Sequence, residues 1–217
     1  MATDSLKLEP QFDDADQQRL AATLGMWTFL ATEILFFGGM IAGYVVYRTR
    51  YPGAWAAGSR ELDLWWGAAN TAVLLTSSLT MALAVEAIRA SNSRRLQQLL
   101  SLTMLLGTAF LAIKGWEYFH KWREHLIPGS GFVWEHAGVS QESVELFYSF
   151  YFVMTGCHAL HMLIGLGLLS VLIIQARRGR FSSDHLTSVE NAGLYWHFVD
   201  IVWVYLYPLL YLVDRSN

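Results

Sequence analysis

The stretch Leu194–Leu212, LYWHFVDIVWVYLYPLLYL, is long and apolar enough to cross a bilayer, yet it carries His197 and Asp200 near its start. At positions i and i+3 the two side chains share one helix face. A charged carboxylate at the centre of a membrane helix costs roughly 2.5–3.5 kcal/mol on insertion scales, so that face must meet protein, water or a partner. The segment is therefore built to pack against other protein, and a plain lipid anchor is excluded.

The rest of the chain agrees. Its 217 residues are 54% hydrophobic and 14% aromatic, with a mean hydropathy of +0.32, which suits a polytopic membrane protein with short loops. A net charge of −3 gives no basic surface for nucleic acid or anionic lipid. Cys157 is the only cysteine, which excludes an internal disulfide, a CxxCH haem attachment and a multi-cysteine metal site. Asp4, Glu9, Asp13, Asp14 and Asp16 make the N-terminus acidic, unlike a signal peptide. Residues 1–24 read as a polar tail with a short helix around Asp13–Leu24, and residues 25–217 as the membrane domain.

Five segments approach the length needed to cross ~30 Å of hydrocarbon: Gly25–Tyr47, Leu64–Ile88, Leu96–Phe119, Leu146–Ile174 and Ala192–Val213. Backbone groups in lipid must bond internally, and alternating strand patterns are absent, so the expectation is an all-α bundle of five transmembrane helices. Arg89–Arg95 reads as a tight polar turn. Lys121–Glu145, with Pro128, Gly129 and Gly131, reads as an ordered cap on one membrane face. Five crossings separate the termini. Eight cations, including the cluster Arg177–Arg180, fall on the N-terminal side against six on the other, which predicts the N-terminus inside and the C-terminus outside.

Glu33, in LATEILFFGG, reads either as a pathway carboxylate or as a hydrogen-bonded group that fixes helix packing, and the second is the expectation for an isolated glutamate. Gly39 and Gly43 form a GxxxG pair suited to close backbone packing. Lys114, Glu117 and His120 lie along one face of span three. The first two can pair, or Lys114 can snorkel outward. Asn70, Thr76, Ser77, Ser78 and Thr80 supply interhelical hydrogen-bonding groups on span two. His158 and His161 are spaced like metal ligands, but only His197 could join them within the membrane, so packing histidines are expected and a metal site is not. No phosphate loop, nucleophile elbow or catalytic carboxylate pair occurs, and no catalytic, cofactor-binding or metal-binding residue is assigned.

In order along the chain, GMWTFLATEILFFGG, AANTAVLLTSS, LLGTAFLAIKGWEYFH, FYFVMTGCHALHMLIGLGLL and LYWHFVDIVWVYLY resemble subunit III of the haem–copper respiratory oxidases. The resemblance covers nearly everything from Gly25 onward and is closest to the short form that lacks the family's first two helices. It implies a multi-pass protein of the bacterial plasma membrane that packs against oxidase subunits I and II and binds no redox centre itself. Haem and copper are then expected in the partners, which reduce oxygen and pump protons. The chain itself would be non-catalytic, stabilising subunit I and aiding its proton supply. The resemblance also leaves room for phospholipid. By similarity Glu33, Glu117, His158, His161, His197 and Asp200 occupy the family's intramembrane polar positions, with interhelical bonding and packing as their expected work.

Two other readings are distinguishable. A subunit III-like accessory protein of nitric oxide reductase would carry the same segments beside a different catalytic partner. A free-standing membrane haem protein would hold haem on His158, His161 and His197 in the isolated chain.

Overall fold

Polar residues at the helix starts set the frame. In a computed structural model, which describes residues 10–136, 138–178 and 186–213, six helices follow one another: α1 (Ala15–Arg50), α2 (Pro52–Arg60), α3 (Leu64–Arg89), α4 (Ser93–Arg123), α5 (Gln141–Arg177) and α6 (Leu186–Tyr211). Asp14 caps α1 by accepting from the Gln17 backbone N–H at 2.7 Å, while the Gln17 side chain accepts from the Asp13 N–H at 2.6 Å. Asp63 accepts from the backbone of Trp65 and Trp66, and Asn92 from that of Arg95. Each satisfies amide donors that a helix start leaves open.

The expected helix near Asp13–Leu24 and the first apolar span are one continuous helix of 36 residues. Nothing between Gln17 and Leu24 breaks a helix, so α1 extends past the apolar stretch. The first nine residues, Arg180 of the basic cluster and Arg215 lie outside the described residues. The turn expected over Arg89–Arg95 is tighter than that. Ala90–Asn92 suffices, with Ser91 at φ 54° and the Asn92 N–H bonded to the Ala87 carbonyl.

Among the described residues there are no strands, and α1, α3, α4 and α5 are long and apolar enough to cross a membrane. The fifth expected span lies on α6. That helix is 26 residues long and carries His197, Asp200 and several tyrosines and tryptophans among its apolar residues. It is also the most enclosed by protein: α3 packs along both α4 and α6, α5 closes against α4 and α6, and α1 lies on the outside against α5 and α6.

Trp196 shows how tightly α6 is held. Its ring lies between Gly107 of α4 and Gly165 of α5, where an added Cβ would come within 2.7 and 2.9 Å of the indole. Its Nε1 donates to Ser77 Oγ of α3 at 3.0 Å. Four helices therefore meet at one side chain. The Gly39/Gly43 pair does not work this way within the chain: a Cβ at Gly43 would touch Phe150 at 3.4 Å, but at Gly39 it would meet open space. The other end of α1 is tied to α6 by the buried Tyr44, whose hydroxyl donates to the Leu209 carbonyl.

The described residues of the α4–α5 connection are held by internal contacts. Leu126 and Phe132 are buried, Val133 N–H donates to the His125 carbonyl, and the Gly129 N–H donates to Glu145. Helix α2, which carries no spanning signal in the sequence, packs against α5 through the fully buried Trp55. Gly58 gives it close approach to the Phe147 ring, 2.3 Å from where a Cβ would stand.

Candidate functional site

The polar side chains singled out in the sequence do not converge on one centre. Some bond across helices, and others are buried without a hydrogen-bond partner.

The largest is centred on Lys114 and Glu117 of α4, only 4% and 6% exposed. Lys114 does not snorkel outward. Its ammonium donates to Glu117 Oε2 at 3.1 Å, to the Tyr151 hydroxyl of α5 at 3.1 Å and to the Tyr211 hydroxyl of α6 at 2.8 Å. Both hydroxyls in turn donate to Glu117 Oε1, at 2.8 Å from Tyr151 and 2.5 Å from Tyr211. All three ammonium protons and both carboxylate oxygens are thereby used. The Trp203 ring lies 5.1 Å from the ammonium and adds a cation–π contact. Such closure is what makes a buried ion pair tolerable, because its desolvation cost is offset only by good geometry and further hydrogen bonds. His120, on the same helix, is exposed, with Nδ1 against the Trp116 carbonyl, and takes no part.

Glu33 of α1 meets His161 of α5, with Nε2 and Oε2 3.0 Å apart. His161 Nδ1 lies 2.8 Å from the Cys157 carbonyl, which can only accept, so Nδ1 carries a proton. The contact with Glu33 is then either imidazolium to carboxylate or carboxylic acid to imidazole. The pair is neutral in both forms. Glu33→Gln should preserve it, since the amide can donate to Nε2. Glu33→Leu leaves a ring nitrogen without a partner and should cost about 1–3 kcal/mol. Thermal denaturation of the purified assembly measures the difference, and equal losses in both variants would contradict this reading of the contact.

His197 of α6 bonds through Nδ1 to Ser78 of α3 at 2.7 Å. Asp200, one turn further along and 2% exposed, has no hydrogen-bond partner for either oxygen, although the Ser78 hydroxyl stands beside it. His158 is 1% exposed and makes no hydrogen bond. It lies between the Phe110 and Trp203 rings, each centroid at 5.3 Å. Nor does Asn70 bond across helices as the sequence suggested, for its buried amide is unpartnered. Among the described residues no three His, Cys, Asp or Glu side chains are placed to hold a metal ion. His158, His161 and His197 turn to aromatic rings, a carboxyl and a hydroxyl respectively.

Sequence reasoning singled out Ser78, which bonds across helices as expected, but passed over Tyr151, Tyr211 and Trp196. The chain has 10 tyrosines and 9 tryptophans, and spacing within one helix does not say which reach a charge on another.

Comparison with known proteins decides the family. The profile of "Cytochrome c oxidase subunit III" matches residues 12–214. The chain belongs to the cytochrome c oxidase subunit III family. A cytochrome c oxidase subunit 3 from Synechocystis sp. is 36% identical over 190 residues, covering 87% of this chain and 74% of that protein. One from Corynebacterium diphtheriae is 31% identical, covering 93% and 96%. A haem–copper oxidase subunit I+III from Aeropyrum pernix is 34% identical over 87% of this chain and 22% of its own length.

Proposed function

We propose that this chain is the subunit III of a bacterial haem–copper terminal oxidase, a non-catalytic membrane subunit that holds subunit I in its working form and aids its proton supply. The observation that carries the reading is the family match along residues 12–214, which takes in every helix. The relative from Aeropyrum pernix that joins subunits I and III in one polypeptide supports subunit I as the direct partner. Subunit II belongs to the same assembly, which also supplies the haem and copper.

Five helices cross the bacterial plasma membrane in this reading, α2 lying at one face. The N-terminus is inside and the C-terminus outside. The basic residues Arg89, Arg94, Arg95, Arg177 and Arg178 at the ends of α3, α4 and α5 support that orientation. An alkaline phosphatase reporter fused in the α4–α5 connection should be active, and one fused at Ala90–Asn92 inactive. The reverse pattern would refute the orientation.

The functional part has its own test. Deleting the chain should leave the haem spectrum of the remaining oxidase intact while shortening its active life during turnover. Loss of the haem signal itself would contradict the supporting role.

A further inference from the structure

Between α4 and α5 a groove of about 470 Å³ opens on the surface of the bundle, lined by residues between Ser101 and Thr108 on α4 and between Ser170 and Arg177 on α5. Met104, Leu105, Ile173 and Ile174 make its walls apolar, and Leu105 and Ile174 are exposed along it. Two of its hydroxyls are satisfied within their own helices. Thr108 donates to the Met104 carbonyl at 2.8 Å and Ser170 to the Leu166 carbonyl at 2.7 Å. The charged lining residue, Arg177, stands at one end.

Contacts across the two helices fix their antiparallel register. Gln97 Nε2 donates to the Ala176 carbonyl at 2.9 Å, Ser170 Oγ lies 3.9 Å from Met104 Sδ, and a Cβ on Gly107 would stand 3.2 Å from the Leu166 side chain. Arg177 is therefore level with the start of α4, and Thr108 with Leu166. From Leu166 to Arg177 a helix rises about 16 Å. That is close to half of the ~30 Å hydrocarbon thickness. Both helices are long and apolar enough to cross a membrane, so the groove runs from one interface to the bilayer middle. No lining residue continues beyond Thr108 toward the other face, as a seat for a partner's transmembrane helix would require.

The interfacial end is basic. Arg94 and Arg95 lie in the first turn of α4, Arg177 in the last turn of α5 and Arg178 directly after it, all exposed, and the first turn of α4 has no acidic residue. A guanidinium at headgroup depth suits phosphate oxygens, and basic pockets between transmembrane helices take anionic headgroups.

We infer that the α4/α5 groove holds an acyl chain of an anionic glycerophospholipid from the leaflet on the side where α5 ends, with its headgroup phosphate on Arg177. The apolar walls take the chain, and Arg177 selects for charge. The site requires α4 and α5 to cross the bilayer and is independent of which catalytic subunit is the partner.

Photolabelling of the purified assembly in phosphatidylethanolamine vesicles tests it. The probes are phosphatidylglycerol and phosphatidylcholine carrying the same diazirine-tagged acyl chain, and labelled peptides are mapped by mass spectrometry. Residues 101–108 and 170–177 should be labelled about fivefold more by the phosphatidylglycerol probe, the worth of one basic residue beside an anionic headgroup. Arg177→Gln should remove that preference and Arg177→Lys should keep it. Thr108→Trp, which fills the groove from an exposed position, should reduce labelling by both probes. Equal labelling by the two lipids, or labelling unchanged in both Arg177→Gln and Thr108→Trp, would overturn the inference. So would the absence of label from both segments, the result expected if a partner protein covers the groove.

Discussion

Lys114→Met should destabilise the bundle by about 3–5 kcal/mol, the usual cost of leaving one member of a buried ion pair without its partner. Glu117 is 6% exposed and draws one of its three close contacts from Lys114, the others from Tyr151 and Tyr211. Without the ammonium, two tyrosine hydroxyls face a carboxylate whose charge is uncompensated. The double change Lys114→Met with Glu117→Gln removes both charges and keeps a hydrogen-bonding group for the tyrosines. It should recover most of the loss, because replacing a whole buried pair is often close to neutral. Thermal melting of the purified assembly, with retention of the chain as a second reading, gives the full double-mutant cycle. A double variant no better than Lys114→Met would show that the ammonium matters for something other than balancing Glu117.

The second large effect is expected at Trp196. Trp196→Ala removes a ring that is 1% exposed, opens the space between Gly107 and Gly165, and leaves Ser77 without its indole donor. Truncating a buried aromatic costs about 3–5 kcal/mol. Gly107→Val approaches the same contact from the other side, because its Cβ would stand 2.7 Å from the indole. Overpacking of this kind costs about 1–3 kcal/mol. Combining Gly107→Val with Trp196→Phe should relieve part of the clash, measured again by thermal melting. Independent, additive losses would mean that the ring and the glycine do not define one packing site.

Much of this architecture was legible in the chain. Apolar length gave α1, α3, α4 and α5 because the bilayer demands it; the caps Asp14, Asp63 and Asn92, which start α1, α3 and α4, were not read from the sequence. Helix α2 escaped notice since nine residues with a single large apolar anchor, Trp55, carry no spanning signal and little periodicity. The polar residues were legible one helix at a time and no further. The i, i+3 spacing of Lys114 and Glu117 foretold their pairing, and the structure has it at 3.1 Å. That Tyr151 and Tyr211 close the same network depends on how α5 and α6 rotate and register against α4. Likewise, the contact between Glu33 and His161 joins residues 128 positions apart. The histidine pair on α5 separates by environment: three residues turn the ring from Glu33 at His161 to Trp203 at His158.

The most direct test of the account is to purify the chain from its native membranes in mild detergent, identify what accompanies it, and record the reduced-minus-oxidised spectrum before and after the chain is separated. The account predicts an a- or o-type haem signal with oxidase subunits I and II, which stays with those subunits and is absent from the isolated chain. Haem retained by the isolated chain, or a b- and c-type spectrum arising from nitric oxide reductase, would contradict it.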